Sequence, residues 1–124
     1  MKPKELIPRI LVGCPTADYK EYCLQEYAEA IKSLTYSNYN ILIIDNSKEN
    51  NYLKKIKKCN LPVKKGPWFN GALQRVIASR NILREEVLGK GYDYLLSLEQ
   101  DVIPQKDIIE KLLQHKKEVI TAVY

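Results

Sequence analysis

The stretch YLLSLEQDVIP, residues 94–104, joins a run of apolar residues to two carboxylates, Glu99 and Asp101, and then ends at a proline. The apolar part is typical of a strand buried within a sheet. Because side chains alternate along a strand, Glu99 and Asp101 are predicted to share one side while Gln100 points away. Paired acids repel each other unless a divalent cation or a ligand's hydroxyl and N–H groups bind them. An acid-x-acid pair is common as surface charge, so its position at a strand end is what favours a binding site.

Short apolar runs and helical patterns alternate on both sides of this stretch. Helices are predicted from about Lys20 to Leu34, around Leu53 to Cys59, from Asn70 to Leu88 with a broad apolar side, and from Pro104 onward. Strands are predicted at RILVGC (9–14), NILIIDNS (40–47), LPVKK (61–65, at an edge), YLLSLE (94–99) and VITAVY (119–124). This alternation predicts an α/β fold: a three-layer, Rossmann-like, mainly parallel sheet with helices on both faces, formed by residues 1–124 as a single domain.

Three segments of this predicted fold follow strands, and each carries polar residues. Right-handed crossovers place the carboxyl ends of parallel strands along one edge, where ligands bind. The segments CPTADY, DNSKEN and EQDVIP should meet there, bringing Asp45 to Glu99 and Asp101, with Asp18 as a further acid. The first of them contains neither the G-x-G-x-x-G pattern nor a P-loop ending, so phosphate would have to be bound by a metal and basic side chains.

Composition narrows the class of protein. The chain has 124 residues, 45% of them hydrophobic, and a net charge of +5, with neither an apolar signal segment nor a membrane-length run, which favours a soluble, cytoplasmic protein. Much of the basic excess lies in residues 48–65, where a solvated surface is the preferred interpretation and a peripheral contact with phosphates or an anionic membrane is the alternative.

Zinc-finger spacing and interleaved aromatic and basic residues are missing from the sequence, which disfavours nucleic-acid binding. The odd number of widely spaced cysteines favours neither disulfides nor a metal site, and a Cys14 nucleophile lacks an evident histidine partner.

The motifs that lead to a family are spread over essentially the whole chain. They are VGCPTADY, IIDNSKEN, the pair Asn70-Gly71 followed by SRN (79–81), and YDYLLSLEQDVIP. In this order they resemble the nucleotide-sugar-binding half of a GT-A-fold glycosyltransferase, nearest to the family-2 type. The resemblance implies a metal-dependent glycosyltransferase, or its donor-binding domain, with a nucleoside-diphosphate sugar of the UDP or GDP type as its ligand.

On the nucleoside side, the resemblance implies roles for residues of the first two strand ends. Pro15 and Thr16 would lie against the nucleoside. Asp45 would accept a hydrogen bond from the base, and Asn46 and Ser47 would support its loop.

On the phosphate side, the resemblance implies roles for the SRN helix and the acid pair. Arg80, together with Asn81, would face the diphosphate or the sugar, because a guanidinium presents its donors in a planar fork. Asp101 would bind the Mn²⁺ or Mg²⁺ ion that bridges the phosphates. Glu99 would reach the ribose, or the metal through water.

The general base that glycosyl transfer needs is not evident in the chain, since the family takes it from a half that follows this one. We therefore expect either a longer protein or a short chain that self-associates or completes itself with a partner through VITAVY, a strand-forming run open to pairing. A catalytically incomplete nucleotide-binding or partner-binding module is the alternative function. A nucleotidyltransferase is a further one, disfavoured because the first loop lacks the usual glycines and basic residues.

Overall fold

A computed structural model describes residues 7–121, and the strands within this range form one parallel sheet. Their order across the sheet is β3-β2-β1-β4, with parallel pairing at every interface. The strands are Ile10–Thr16 (β1), Tyr39–Asp45 (β2), Val63–Lys65 (β3) and Tyr94–Ser97 (β4). Together with the helices between them, they confirm the predicted Rossmann-like α/β fold.

Helices cover both faces of this sheet. They are Leu24–Lys32 (α1), Asn51–Lys58 (α2), Ala72–Gly89 (α3) and Ile108–Leu113 (α4), and a 3-10 helix, Asp18–Cys23, precedes α1. One apolar core joins β1 and β2 to α1, α2 and α4, for example through Val12, Ile31 and Ile56. A second core on the opposite face joins Leu11 and Ile44 to Leu83 of α3. This division follows from strand alternation, which sends neighbouring residues of β1 to opposite faces.

Strand β1 is longer than predicted, because it passes through Pro15 instead of ending before it. Pro15 is paired with Ile44 of β2, and Thr16 with Asp45. On the other side, pairing with β4 stops at Gly13 and Ser97. The missing N–H of Pro15 faces this side, beyond the last pair with β4, so the proline costs no hydrogen bond of the ladder.

Strand β4 differs from the prediction in length and in burial. It ends at Ser97, two residues early, and within residues 7–121 it lies at an edge of the sheet with only β1 beside it. Tyr94 and Leu95 are consequently 37% and 40% exposed. An apolar run in the sequence predicts a hydrophobic strand, but it does not distinguish a central strand from an edge strand.

The helices also depart from the predictions. The broad apolar side of α3 is wrong for its first half, since Leu73 and Ile77 are exposed and only Ser79 and Leu83 are buried. Helix α4 begins at Ile108, four residues after Pro104. Of the predicted strand VITAVY, residues 119–121 are not in a strand and residues 122–124 lie outside the described range. None of the helices described is long and apolar enough to span a membrane.

Candidate functional site

The carboxyl ends of β1 and β2 lie side by side, and backbone hydrogen bonds hold the loops that follow them together. The Asn46 N–H donates to the Thr16 carbonyl at 2.8 Å, and the Gly66 N–H donates to the Asp45 carbonyl at 2.8 Å. The Ser47 hydroxyl accepts a bond of 2.8 Å from the Asp18 N–H, which ties the second loop to the first. Segments after β1, β2 and β3 therefore meet at one edge.

Asp45 organises this edge from inside the protein. Its side chain is fully buried; Oδ1 accepts the Ser47 N–H at 2.9 Å, and Oδ2 lies 3.3 Å from the Lys65 ammonium. Lys65 also donates to the carbonyls of Ser47 and of Glu49, the latter at 2.6 Å. Asp45 and Lys65 are register partners on β2 and β3. Both carboxylate oxygens thus stabilise the loop in this structure, and contact with a base remains a prediction.

The loop after β2 packs closely against helix α3. The Asn46 amide donates to the Ser79 hydroxyl at 3.4 Å, and Ser79 is fully buried. A Cβ on Gly66 would lie 3.0 Å from the Ser79 hydroxyl oxygen and 3.0 Å from a methyl carbon of Ile44. A side chain at position 66 would press on these atoms and force them to shift by a few tenths of an ångström, so glycine allows the closest packing of this segment against α3. Pro15 and Thr16, the other residues expected near the nucleoside, are buried as well.

Gln100 holds the acidic turn to the rest of the edge. It is 1% exposed; its amide oxygen accepts from the Thr16 hydroxyl, and its amide nitrogen donates to the Lys20 carbonyl at 3.0 Å and to the Tyr52 hydroxyl. On either side of Gln100, Glu99 is partly exposed and Asp101 is exposed. The predicted opposition of Gln100 to the acids is therefore present, but it arises from a turn after β4 and not from strand alternation.

Each acid of the pair lies beside a basic side chain. Arg80 donates to a Glu99 carboxylate oxygen at 3.0 Å and to the Ser97 hydroxyl at 3.4 Å. Lys20 donates to Asp101 at 2.8 Å, and this bond lowers the pKa of Asp101 and raises that of Lys20. Sequence reasoning missed Lys20, because its partner is 81 residues away in the chain.

Asn81 is not brought to the other predicted site residues. It is exposed on α3 and borders a shallow surface depression with Lys64 and Glu86. Residues 80 and 81 are neighbours on a helix, where successive side chains point in different directions. Arg80 reaches the acidic turn, while Asn81 faces the side of the molecule where β3 lies.

The carboxylates of the turn have the right chemistry for Mg²⁺ or Mn²⁺, although they do not form a complete ligand cage. Across residues 7–121, no group of three or more His, Cys, Asp or Glu side chains could hold a metal ion. Mg²⁺ in phosphate-binding sites is commonly held by one or two carboxylates, with the remaining ligands supplied by phosphates and water. Glu99 and Asp101 fit that kind of shared site, provided that an ion replaces their present contacts with Arg80 and Lys20.

Cys14 is unsuited to act as a nucleophile. The thiol lies in the core between β1 and α1, and burial raises its pKa from 9.0 to about 12. Since the thiolate is the reactive form, its fraction at pH 8 falls about a thousandfold relative to a free thiol. The raised pKa contributes stability that is fully present below about pH 9 and is lost as the pH rises toward 12.

We expect iodoacetamide at pH 8 to alkylate the half-buried Cys23 and Cys59 in the folded protein and to leave Cys14 unmodified. Peptide mass spectrometry after a time course measures each rate, and the same reaction in denaturant should modify all three cysteines. Alkylation of Cys14 in the folded protein at the rate of the other two would contradict this account.

Comparison with known proteins finds a likeness in structure. No family model matches the chain, and no curated protein matches it. A crystal structure of S. aureus TarS matches with a TM-score of 0.59 and 15% identity, over 86% of this chain and 19% of that one. A structure of S. aureus TarS 1-349 in complex with UDP matches with a TM-score of 0.54 and 13% identity, over 86% of this chain and 31% of that one. The chain thus spans less than a third of each of these two chains, and the likeness at these identities shows a shared fold.

Proposed function

We propose that this chain is the donor-binding domain of a glycosyltransferase and that it holds a nucleoside-diphosphate sugar with a divalent cation at the carboxyl edge of its sheet. The observation that carries the proposal is the charge arrangement beyond β4, where Glu99 lies beside Arg80 and Asp101 beside Lys20. A metal diphosphate needs both signs at once: carboxylates for the cation, and cations for the phosphate oxygens. The UDP in the structurally similar TarS complex is in keeping with a nucleotide of this class.

On the phosphate side of the proposed site, each of the four charged residues has a distinct role. Asp101, whose side chain is 42% exposed, binds the metal, and Glu99 contacts the ribose or the metal through water. Arg80 offers a planar fork of donors, and Lys20 a compact positive charge, to the phosphate oxygens. When bound, a divalent metal would supply stabilisation of the negative charge on the departing nucleoside diphosphate.

On the nucleoside side, the buried loop after β2 forms the wall. Asp45, Asn46 and Ser47 are held by Lys65, Ser79 and Asp18, so the loop keeps its shape before a ligand arrives. Pro15 and Thr16 lie next to this wall through the pairing of β1 with β2. A preformed wall reduces the ordering cost of binding.

A second candidate is a binding module that holds the nucleotide without turning it over. The observation that favours it is that both acids of the turn already pair with basic side chains, Glu99 with Arg80 and Asp101 with Lys20, so neither is an unpaired carboxylate that could serve as a general base.

Thermal unfolding with UDP or GDP, each with and without Mn²⁺, tests the proposal. We expect one of these nucleotides with Mn²⁺ to raise the melting temperature, because a ligand at 100 times its dissociation constant stabilises the folded state by about 2.7 kcal/mol. The matching nucleoside should have a smaller effect, since it lacks the phosphates that Lys20, Arg80 and the metal would bind. If neither diphosphate shifts melting in the presence of Mn²⁺, the proposal fails. Release of sugar from a bound sugar nucleotide would separate the transferase from the binding module.

A further inference from the structure

The residue between the two acids, Gln100, is the most completely buried polar side chain of the acidic turn. Its 1% exposure contrasts with the exposed Asp101 that follows it. Burying an amide is costly unless its polar atoms find hydrogen-bond partners. Gln100 meets that condition through three partners from three different segments of the fold.

The three partners use the donors and the acceptor of the amide. The oxygen accepts from Thr16 at the end of β1, and the nitrogen donates to the Lys20 carbonyl in the 3-10 helix and to the Tyr52 hydroxyl in α2. A glutamine side chain offers two N–H donors and an acceptor oxygen. A carboxylate of the same length would lack both donors, and an apolar side chain would lack all three bonds.

The bond to Lys20 gives Gln100 a particular effect on the proposed site. Lys20 is held at both ends: Gln100 binds its backbone carbonyl, while Asp101, the next residue in the chain, binds its ammonium. A backbone bond from Val102 to the Glu99 carbonyl at 3.0 Å closes the same turn. One buried side chain, which is not itself exposed to a ligand, therefore ties the backbone of Lys20 to the turn that carries Asp101.

We infer that Gln100 is a positioning residue that couples metal binding to diphosphate binding. It aligns Asp101, the proposed metal ligand, with Lys20, the proposed phosphate ligand, so that both contact one metal-diphosphate unit. The inference rests on the proposed function. Its physical basis is that groups held in the bound geometry beforehand lose less freedom when the ligand arrives.

The coupling is measurable as the ratio of nucleotide affinities with and without Mn²⁺. Isothermal titration with UDP or GDP, well below the melting temperature, would give this ratio for wild type, Gln100→Met and Tyr52→Phe. Gln114→Met is the matched control, because Gln114 is exposed just after α4. We expect Gln100→Met to reduce the ratio about tenfold, as is usual when a supporting partner of a metal ligand is removed. The affinity without Mn²⁺ should change about twofold or less, and the control should keep the wild-type ratio.

The possible results distinguish a failure of the proposed function from a failure of this inference. A wild type that binds neither nucleotide with Mn²⁺ overturns the proposed function and this inference with it. If Mn²⁺ strongly raises nucleotide affinity in wild type and folded Gln100→Met keeps the same ratio, the inference alone is overturned. A purely structural role of Gln100 would lower the melting temperature and leave the ratio unchanged. If Gln100→Met does not fold, Tyr52→Phe decides, because it removes one bond of the amide: a ratio lowered about twofold supports the inference, and an unchanged ratio overturns it.

Discussion

Replacing Lys65 with methionine is expected to lower the free energy of unfolding by about 3 kcal/mol, because it leaves the buried Asp45 carboxylate without its cation. The Asp45 side chain has no exposed surface, and the Lys65 side chain is only 29% exposed, so water cannot replace the ammonium without opening the loop. The carbonyls of Ser47 and Glu49 would lose the same donor. We therefore expect the loop after β2 to lose its fixed shape together with the stability.

Urea unfolding of Lys65→Met beside Lys64→Met measures this effect. The two lysines are adjacent on β3, but Lys64 is 53% exposed and its partner Glu86 also binds Lys90. Because Lys64 is solvated and Glu86 keeps Lys90 as a second cation, this pair contributes about 1 kcal/mol or less. Equal midpoints for the two variants would show that Asp45 does not depend on Lys65.

The second large effect is expected for Asp101→Asn. This change removes the negative charge of the proposed metal ligand with little change in shape, and we expect it to reduce the gain in nucleotide affinity from Mn²⁺ by at least tenfold. The hydrogen bond from Lys20 lowers the pKa of Asp101 from its ordinary value, which favours the carboxylate form that a metal ligand needs. Nucleotide affinity without metal should be kept or should rise, because Lys20 is then released from Asp101.

Titration of UDP or GDP with and without Mn²⁺ into Asp101→Asn and Asp107→Asn provides the measurement. Asp107 precedes α4 and pairs with Lys111, away from the proposed site, and its variant should behave as wild type. A Mn²⁺ effect of wild-type size in Asp101→Asn would assign the metal to other ligands, or to the nucleotide alone.

The fold was predictable from the sequence where the signal was local. The run ILII, residues 41–44, is apolar and is followed by an acid, and β2 is found there with Asp45 as its last residue. The helices and turns next to this strand are likewise predicted by sequence patterns that span only a few residues. Strand β4 shows the limit, because its sequence is as apolar as that of a central strand, while its position at an edge of the sheet that residues 7–121 form depends on which strands pair with it.

The acids of the candidate site and Arg80 beside Glu99 were visible in the sequence, but the lysines that pair with Asp45 and Asp101 were not. Lys65 lies 20 residues from Asp45, and Lys20 lies 81 residues from Asp101. The sequence predicts only that Gln100 points away from the two acids, because no pattern near it indicates the hydroxyls of Thr16 and Tyr52. Such contacts depend on tertiary packing, so a charged or amide side chain gives no sign of its partner until the sheet order is known.

The bond between Thr16 and Gln100 has a consequence for the order of folding. It closes a separation of 84 residues, so about two thirds of the 124-residue chain lies between its two ends. Contacts at such long separation form slowly, since the entropy of closing the loop must be offset before they contribute. On a ribosome, the loops after β1 and β2 would be made well before the turn that completes the edge. The edge should therefore be among the last parts of the domain to mature, and a nascent chain halted before residue 100 should be unable to hold a nucleotide.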